Sequence, residues 1–396
     1  AYEYVKNTVK ITDAAGKWKK YVTDGLGQIV KVIEPNPAGG ADLETLYSYN
    51  IRGQMTAASM TRGGIPQVRT FNYDLATGRL TSLTKPETGT TVYTYNTDGT
   101  VQHTVDAKLQ KTAFTYDALK RVTAVKRFIT AGGAFVEQPC QEVTYHYDAN
   151  PETGATYNLR GRLALVVAKQ CDSVVTAYGE DYQYETSRLL LYRDSVWKRY
   201  NYASYTVSKR VDPDWNELGA MTSFGYGPPG SLYSYGYTYD EAWRPKTMTG
   251  ESLTLVEGVT YNAAGAMTAF TRNDGSGTPI VNGYTFNHLN QLTNQTVTKG
   301  ATTLQNLTYT FHATENNGQI LSQTDALSAE TVLYQYDALQ RLVSAETASS
   351  AWGLAWSYDG FGNRTNQSVT KGSAPMHSVA IDAATNRLAT AGYQYL

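Results

Sequence analysis

Phe71-Asn72-Tyr73-Asp74-Leu75-Ala76-Thr77-Gly78-Arg79-Leu80 carries the pattern on which the rest of the chain is built. In an extended backbone, side chains two residues apart share a face, so Phe71 and Tyr73 lie on the same side of a sheet. Asp74 follows, a residue whose carboxylate bonds the backbone downstream and opens a turn. Gly78 tolerates the positive φ that closes such a turn. Arg79-Leu80 and the Thr81-Ser82-Leu83 beyond it return to strand-like composition. The unit predicts one antiparallel β-hairpin with a loop of about three to five residues.

The pattern recurs along the chain. Tyr47-Ser48-Tyr49-Asn50 leads to Gly53, Tyr93-Thr94-Tyr95-Asn96 to Gly99, and Phe114-Thr115-Tyr116-Asp117 to Arg121. Tyr147-Asp148, Tyr239-Asp240, Tyr261 with Gly265, Phe286, Phe311, Tyr336-Asp337 with Arg341, and Tyr358-Asp359 with Gly362 continue it. In the first stretch the second aromatic falls at 49, 73, 95 and 116, spacings of 24, 22 and 21 by subtraction. Between Tyr239 and Tyr358 the spacings are 22, 25, 25, 25 and 22. An isolated hairpin is marginal in water, so such units have to pair edge to edge and bury their aromatic face together. The expectation is an all-β chain of tandem antiparallel hairpin repeats, one array over 1–396. Repeats are regular over 1–147, irregular or degenerate with longer loops over 148–236, and regular again over 237–396. Tyr147 to Tyr184 is 37 residues, so one unit there is lengthened or degenerate.

Composition agrees with a repeat array and narrows the function classes. Of 396 residues 32 are Tyr and only 9 Phe, a skew unlike that of a generic core, because each Tyr hydroxyl needs a partner or water. A formal charge of -1 with 17% charged residues indicates no nucleic-acid partner. No apolar run approaches the roughly 20 residues of a membrane helix. The start, Ala1-Tyr2-Glu3-Tyr4, reads as a mature product or an excised piece.

The Tyr-x-Tyr-Asp-x-x-Gly-Arg-Leu element, almost intact at Phe71 to Leu80, and the Thr-Asp-x-x-Gly elements at 12–16 and 23–27 resemble the YD-repeat or rearrangement-hotspot (Rhs) family. About sixteen copies in register span essentially the whole chain. The resemblance implies a long β-strip, curved or spiralling, that forms part or whole of a hollow shell. In that family such shells occur in toxin-complex components, polymorphic toxins and teneurin ectodomains. It implies a secreted or cell-surface setting and, as partners, a protein cargo or neighbouring shell segments. Open sheet edges would allow self-association. The family's self-cleaving core, with its repeated Asp-Pro elements, has no counterpart; Asp212-Pro213 stands alone.

The repeated aspartates suggest paired carboxylates, but their fixed place before a turn favours backbone capping. Five scattered histidines show no metal-ligand spacing, and no nucleophile elbow, phosphate loop or dinucleotide fingerprint occurs, so neither a cofactor nor a catalytic residue is expected. Arg79, Arg121 and Arg341 follow the turns and would bond their carboxylates or loop carbonyls. Cys140 and Cys171 sit on either side of an irregular stretch; in a secreted protein they could bridge neighbouring repeats, and otherwise they stand as two free thiols. Two other readings are a glycan- or protein-binding surface using aromatics such as Trp197, Trp215 and Trp243, and, more remotely, a polysaccharide-acting enzyme. The preferred reading is a scaffold without chemistry of its own.

Overall fold

The computed structural model describes residues 1–170, 175–184, 193–202, 206–228, 231 and 233–389. Among these residues the secondary structure is antiparallel β throughout, save one short 3-10 turn at Pro139–Gln141. The strand Ile65–Tyr73 pairs with Leu80–Lys85, placing Thr70 against Thr84, Phe71 against Leu83 and Asn72 against Ser82. Each such hairpin then pairs with the next, as Val122–Ala131 does with Lys111–Tyr116 on one side and Val143–Tyr147 on the other. The result is long open runs of hairpin strands rather than a closed barrel.

A bulge recurs at the second aromatic. The register shifts between Asn72 and Tyr73, between Ser48 and Tyr49, Thr115 and Tyr116, Thr238 and Tyr239, Thr310 and Phe311, Gln335 and Tyr336, and Ser357 and Tyr358. Each time the residue skipped lies on the returning arm, which bends there and gains right-handed twist. Repeating one bulge per hairpin adds the same increment of twist at every unit.

The core is thin. Among the described residues only Leu159, Ala164, Leu165, Val297, Val332 and Ala345 are buried hydrophobics. A single sheet buries each face only partly, so stability has to come from ladder hydrogen bonds and from bonds between neighbouring repeats.

The chain groups into two compact units, one comprising Ala1–Thr91 with Gly283–Leu396 and the other Val92–Asn282. The second holds the irregular stretch, and the lengthening sits inside one turn. Asp148 donates its backbone N–H to the Arg162 carbonyl at 3.0 Å, and two smaller turns nest between them, one closed by Gly154 N–H to Asn150 O and one by Arg162 N–H to Leu159 O, both 2.8 Å. The insertion packs down through Leu159, 2% exposed, and through Asn150, whose amide donates to Asp181 Oδ1 at 2.8 Å. Asn158 donates to the Tyr184 carbonyl at 2.9 Å.

Candidate functional site

The motif residues assemble into one device, built in the same order as the sequence. The aspartate or asparagine comes first. Asp117 Oδ1 accepts the backbone N–H groups of Leu119 and Arg121, both at 2.9 Å. Asp24, Asn50, Asp240, Asn262, Asn287, Asp337 and Asp359 cap their own loops in the same way, at the second and fourth residues after them. In each of these a backbone bond from the third residue back to the cap tightens the turn, as from Gly53 to Asn50 at 2.9 Å.

That third residue has positive φ in every copy, and glycine is not required. Gly53, Gly99, Gly265 and Gly362 occupy it, but so do Lys120 at 62°, Trp243 at 61°, Asn290 at 59° and Gln340 at 65°. The copy at Tyr73 is one residue longer, since Gly78 N–H reaches Asp74 O across four residues and Asp74 N–H reaches Arg79 O. Thr77 there adds its hydroxyl to Asp74 Oδ1 at 2.7 Å.

The arginine that ends the turn joins one repeat to the next. Arg121 donates Nε–H to Asp117 Oδ2 at 2.6 Å while its guanidinium lies 4.4 Å over the ring of Tyr147, the second aromatic of the following repeat. Arg244 does this with Asp240 and Tyr261 at 2.8 and 4.3 Å, and Arg341 with Asp337 and Tyr358 at 2.7 and 4.5 Å. Planar guanidinium stacked on an aromatic face while forking to a carboxylate is a geometry lysine cannot reproduce. Arg162 keeps its place over Tyr184 at 5.1 Å despite the insertion before it. Arg121 also reaches Asp148, and with the Gly161 N–H it holds that carboxyl well below the usual carboxylate range, at about 2. Asp240 is likewise lowered, first by the Arg244 side chain and then by its backbone N–H.

The tyrosine hydroxyls supply the other inter-repeat bond. Tyr49 donates to the Ile29 carbonyl at 2.9 Å, Tyr73 to Met55 at 3.0 Å, Tyr116 to Val101 at 2.8 Å, Tyr239 to Met221 at 2.6 Å, Tyr336 to Ile320 at 3.0 Å and Tyr358 to Leu342 at 2.6 Å. The acceptor is in each case the first residue of the preceding returning strand. These bonds give six motif tyrosines the hydroxyl partner that their number in the sequence called for. Phe286 and Phe311 occupy the same slot without the bond.

A second relationship escapes any repeat-by-repeat reading. In the first unit, motif turns of the later repeats meet the opposite edge of the early ones. Asn317 and Gln340 donate to Asp13 Oδ2 at 3.1 and 2.7 Å. Arg62 donates to Gly360 O at 3.1 Å, Gln67 to Ala383 O at 2.9 Å and Arg387 to Glu87 O at 2.6 Å. The separations in sequence are 304, 327, 298, 316 and 300 residues, so the strip meets itself at a nearly constant offset. Beside Asp13, Leu339 joins Ile11, Trp18 and Tyr21 in lining a cavity of about 230 Å³.

Nothing in these positions gathers as an active site. Among the described residues no group of three or more His, Cys, Asp or Glu could hold a metal. The motif aspartates are spent on their own turns. His312 accepts the Glu315 N–H at Nδ1, 2.8 Å, and His146 sits in a strand opposite Leu165. Trp243 stands at a turn tip with its ring 6.2 Å from that of Tyr239. Trp215 pairs with Met221 in a ladder, and the side chain of Trp197 lies outside the described residues. Cys140 lies in the 3-10 turn, while Cys171 is outside the described residues, so their pairing is taken up below as a proposal. Among the described residues no helix is long and apolar enough to cross a membrane.

No protein-family model matches the chain, and no curated protein does. Solved structures do. The crystal structures of TcdB2-TccC3-TEV and TcdB2-TccC3-Cdc42 match over 98% of this chain with TM-scores of 0.75 and 0.76, at 15% and 16% identity. The Photorhabdus luminescens Tc holotoxin pore with a mutation in TccC3 matches over the same share with a TM-score of 0.75 and 16% identity. At such identities the likeness is one of fold, and it agrees with the YD-repeat resemblance read from the sequence. The chain spans about a fifth, 21%, of the length of the chains it matches.

Proposed function

We propose that this chain is a wall segment of a YD-repeat shell whose task is mechanical: to enclose or display a polypeptide belonging to a larger extracellular protein. The observation that carries the reading is the self-contact of the strip in the first unit. Hairpins braced to their neighbours by arginine and tyrosine make a ribbon, and only a ribbon bonded to itself about three hundred residues later becomes a continuous surface. The fold likeness over nearly the whole chain supports the same reading, since one matched structure is a Tc holotoxin pore. The motif carboxylates, guanidinia and hydroxyls are each engaged in building the wall, which supports a non-catalytic role for it.

The test is protection. A small, unfolding-prone passenger is fused at the C-terminus of the full parent protein, and its half-life under protease is compared with that of the free passenger. Enclosure predicts at least a tenfold longer life. Equal lifetimes would defeat the enclosing reading.

A further inference from the structure

Asn followed by Gly occurs twice in the chain, at Asn282-Gly283 and at Asn317-Gly318. Glycine has no Cβ to crowd its own backbone nitrogen, so in this dipeptide that nitrogen attacks the preceding side-chain amide carbon with least hindrance. The two copies differ in their surroundings. Asn282 is 4% exposed inside the strand Ile280–Phe286, and a Cβ on Gly283 would stand 2.8 Å from Thr296 Oγ1, so the backbone there is tightly held. Asn317-Gly318 lies in the loop between Phe311 and Ile320, with Gly318 exposed and its φ at 92°. Asn317 Oδ1 accepts the Gln319 N–H at 3.2 Å, which polarises the carbon under attack. Asn317 Nδ2 belongs to the seam: it donates to Asp13 Oδ2 at 3.1 Å, beside Gln340 at 2.7 Å, and to Gln319 Oε1 at 3.1 Å. The other oxygen of Asp13 accepts the Lys17 N–H at 2.8 Å, and among the described residues no ion pair neutralises that carboxylate.

We propose that Asn317-Gly318 is a site of spontaneous modification that loosens the seam with age, water converting the Asn317 amide to a carboxylate that faces Asp13. The Gly318 nitrogen gives up its proton and bonds to the Asn317 Cγ; the Cγ–Nδ2 bond breaks, and ammonia leaves carrying that proton. Water then opens the five-membered ring at one carbonyl to give aspartate or at the other to give isoaspartate. Amide and water become acid and ammonia, and no other reactant is needed. The product loses the donor that Asp13 accepted and sets a second negative charge at the same place, where like charges at hydrogen-bond distance repel. Gln319 Nε2, buried and without a partner among the described residues, gives the new carboxylate a donor to turn toward as it leaves Asp13. The isoaspartate product also lengthens the loop backbone by one carbon. The seam bonds made by Arg62, Gln67 and Arg387 end on main-chain carbonyls, so the loosening starts at Asp13. The inference concerns the seam alone and stands apart from the enclosing role, which a passenger assay reads.

The experiment is to age the folded chain in mildly alkaline buffer and follow both Asn-Gly sites by peptide mass mapping. Asn317 is expected to turn into a mixture of aspartate and isoaspartate about tenfold faster than Asn282, whose strand has to open locally before it can react. Hydrogen exchange reads the seam. Asn317→Asp, which installs the product directly, is expected to speed exchange around residues 13–17 and 317–320 by about tenfold. Adding Asp13→Asn to that variant removes the facing charge and is expected to restore the protection, which a general disturbance of the loop would not allow. Three results would each overturn the proposal: an Asn317 amide that lasts as long as that of Asn282, an Asn317→Asp chain protected as well as wild type, or an Asp13→Asn change that restores nothing.

Discussion

The Arg62 guanidinium and the Gly360 carbonyl, 298 residues apart in sequence, are joined by a hydrogen bond of 3.1 Å. Arg62 is only 8% exposed, and its Nη1 also donates to the Glu44 carbonyl at 2.7 Å. Replacing it with alanine strips a charged donor from each of these two carbonyls. Arg62→Ala is expected to cost about 2 kcal/mol, in the range for hydrogen bonds to charged groups. Urea unfolding with hydrogen exchange checks this: protection should fall around residues 44–62 and 360 together. Gly360→Ala should act in the same direction, since its Cβ would stand 2.7 Å from the Arg62 Cβ. Loss confined to residues 44–62 would mean the seam is not what Arg62 holds.

The tyrosine ladder gives a pair of opposite substitutions. Tyr336→Phe removes the bond to Ile320 and is expected to destabilise by about 1 kcal/mol. Phe311→Tyr places a hydroxyl toward the Leu292 carbonyl, the first residue of the preceding returning strand, and should gain a similar or smaller amount. Chemical denaturation midpoints measure both. A Phe311→Tyr chain no more stable than wild type would show that the slot does not bring its acceptor within reach there.

Asp148 sets a pH window. Its carboxyl is lowered from 3.8 to about 2, first by the Arg121 side chain and next by the Gly161 N–H. A carboxyl lowered on folding stabilises fully above its unfolded pKa and loses that contribution as pH falls through the folded value. Its share of stability is therefore present above about pH 4 and disappears between about 4 and 2. Carboxyl titration by NMR should place Asp148 near 2 in wild type and back toward the ordinary value in Arg121→Ala. An unchanged midpoint in that variant would remove Arg121 as the cause.

We propose that Cys140 and Cys171 are bridged across the boundary of the irregular stretch. Peptide mapping without reductant should return the two as one linked pair, and reduction should lower stability by about 2–4 kcal/mol. Recovery of both as free thiols would end the idea.

Much of the fold was legible because its causes are local. Alternation of Tyr47 with Tyr49 and the capping power of Asn50 act over five residues, and both are visible in any copy. Glycine misled slightly, because Lys120, Trp243, Asn290 and Gln340 hold the same left-handed position once the cap and the ladder fix the turn. The partner of each tyrosine hydroxyl was out of view, since Ile29 and Tyr49 are brought together by register and not by pattern. The seam was further out of view still. Nothing around Arg62 points to Gly360, which stands 298 residues away in sequence.

The turn between Asp148 and Arg162 shows how such a wall acquires novelty. Its two ends keep the bond and the ring contact found in the shortest copies, while the residues between them have multiplied without shifting a strand. A loop clamped at both ends and pinned beneath by Leu159 and Asn150 lets the wall carry added sequence at its rim, with the masonry below it left undisturbed.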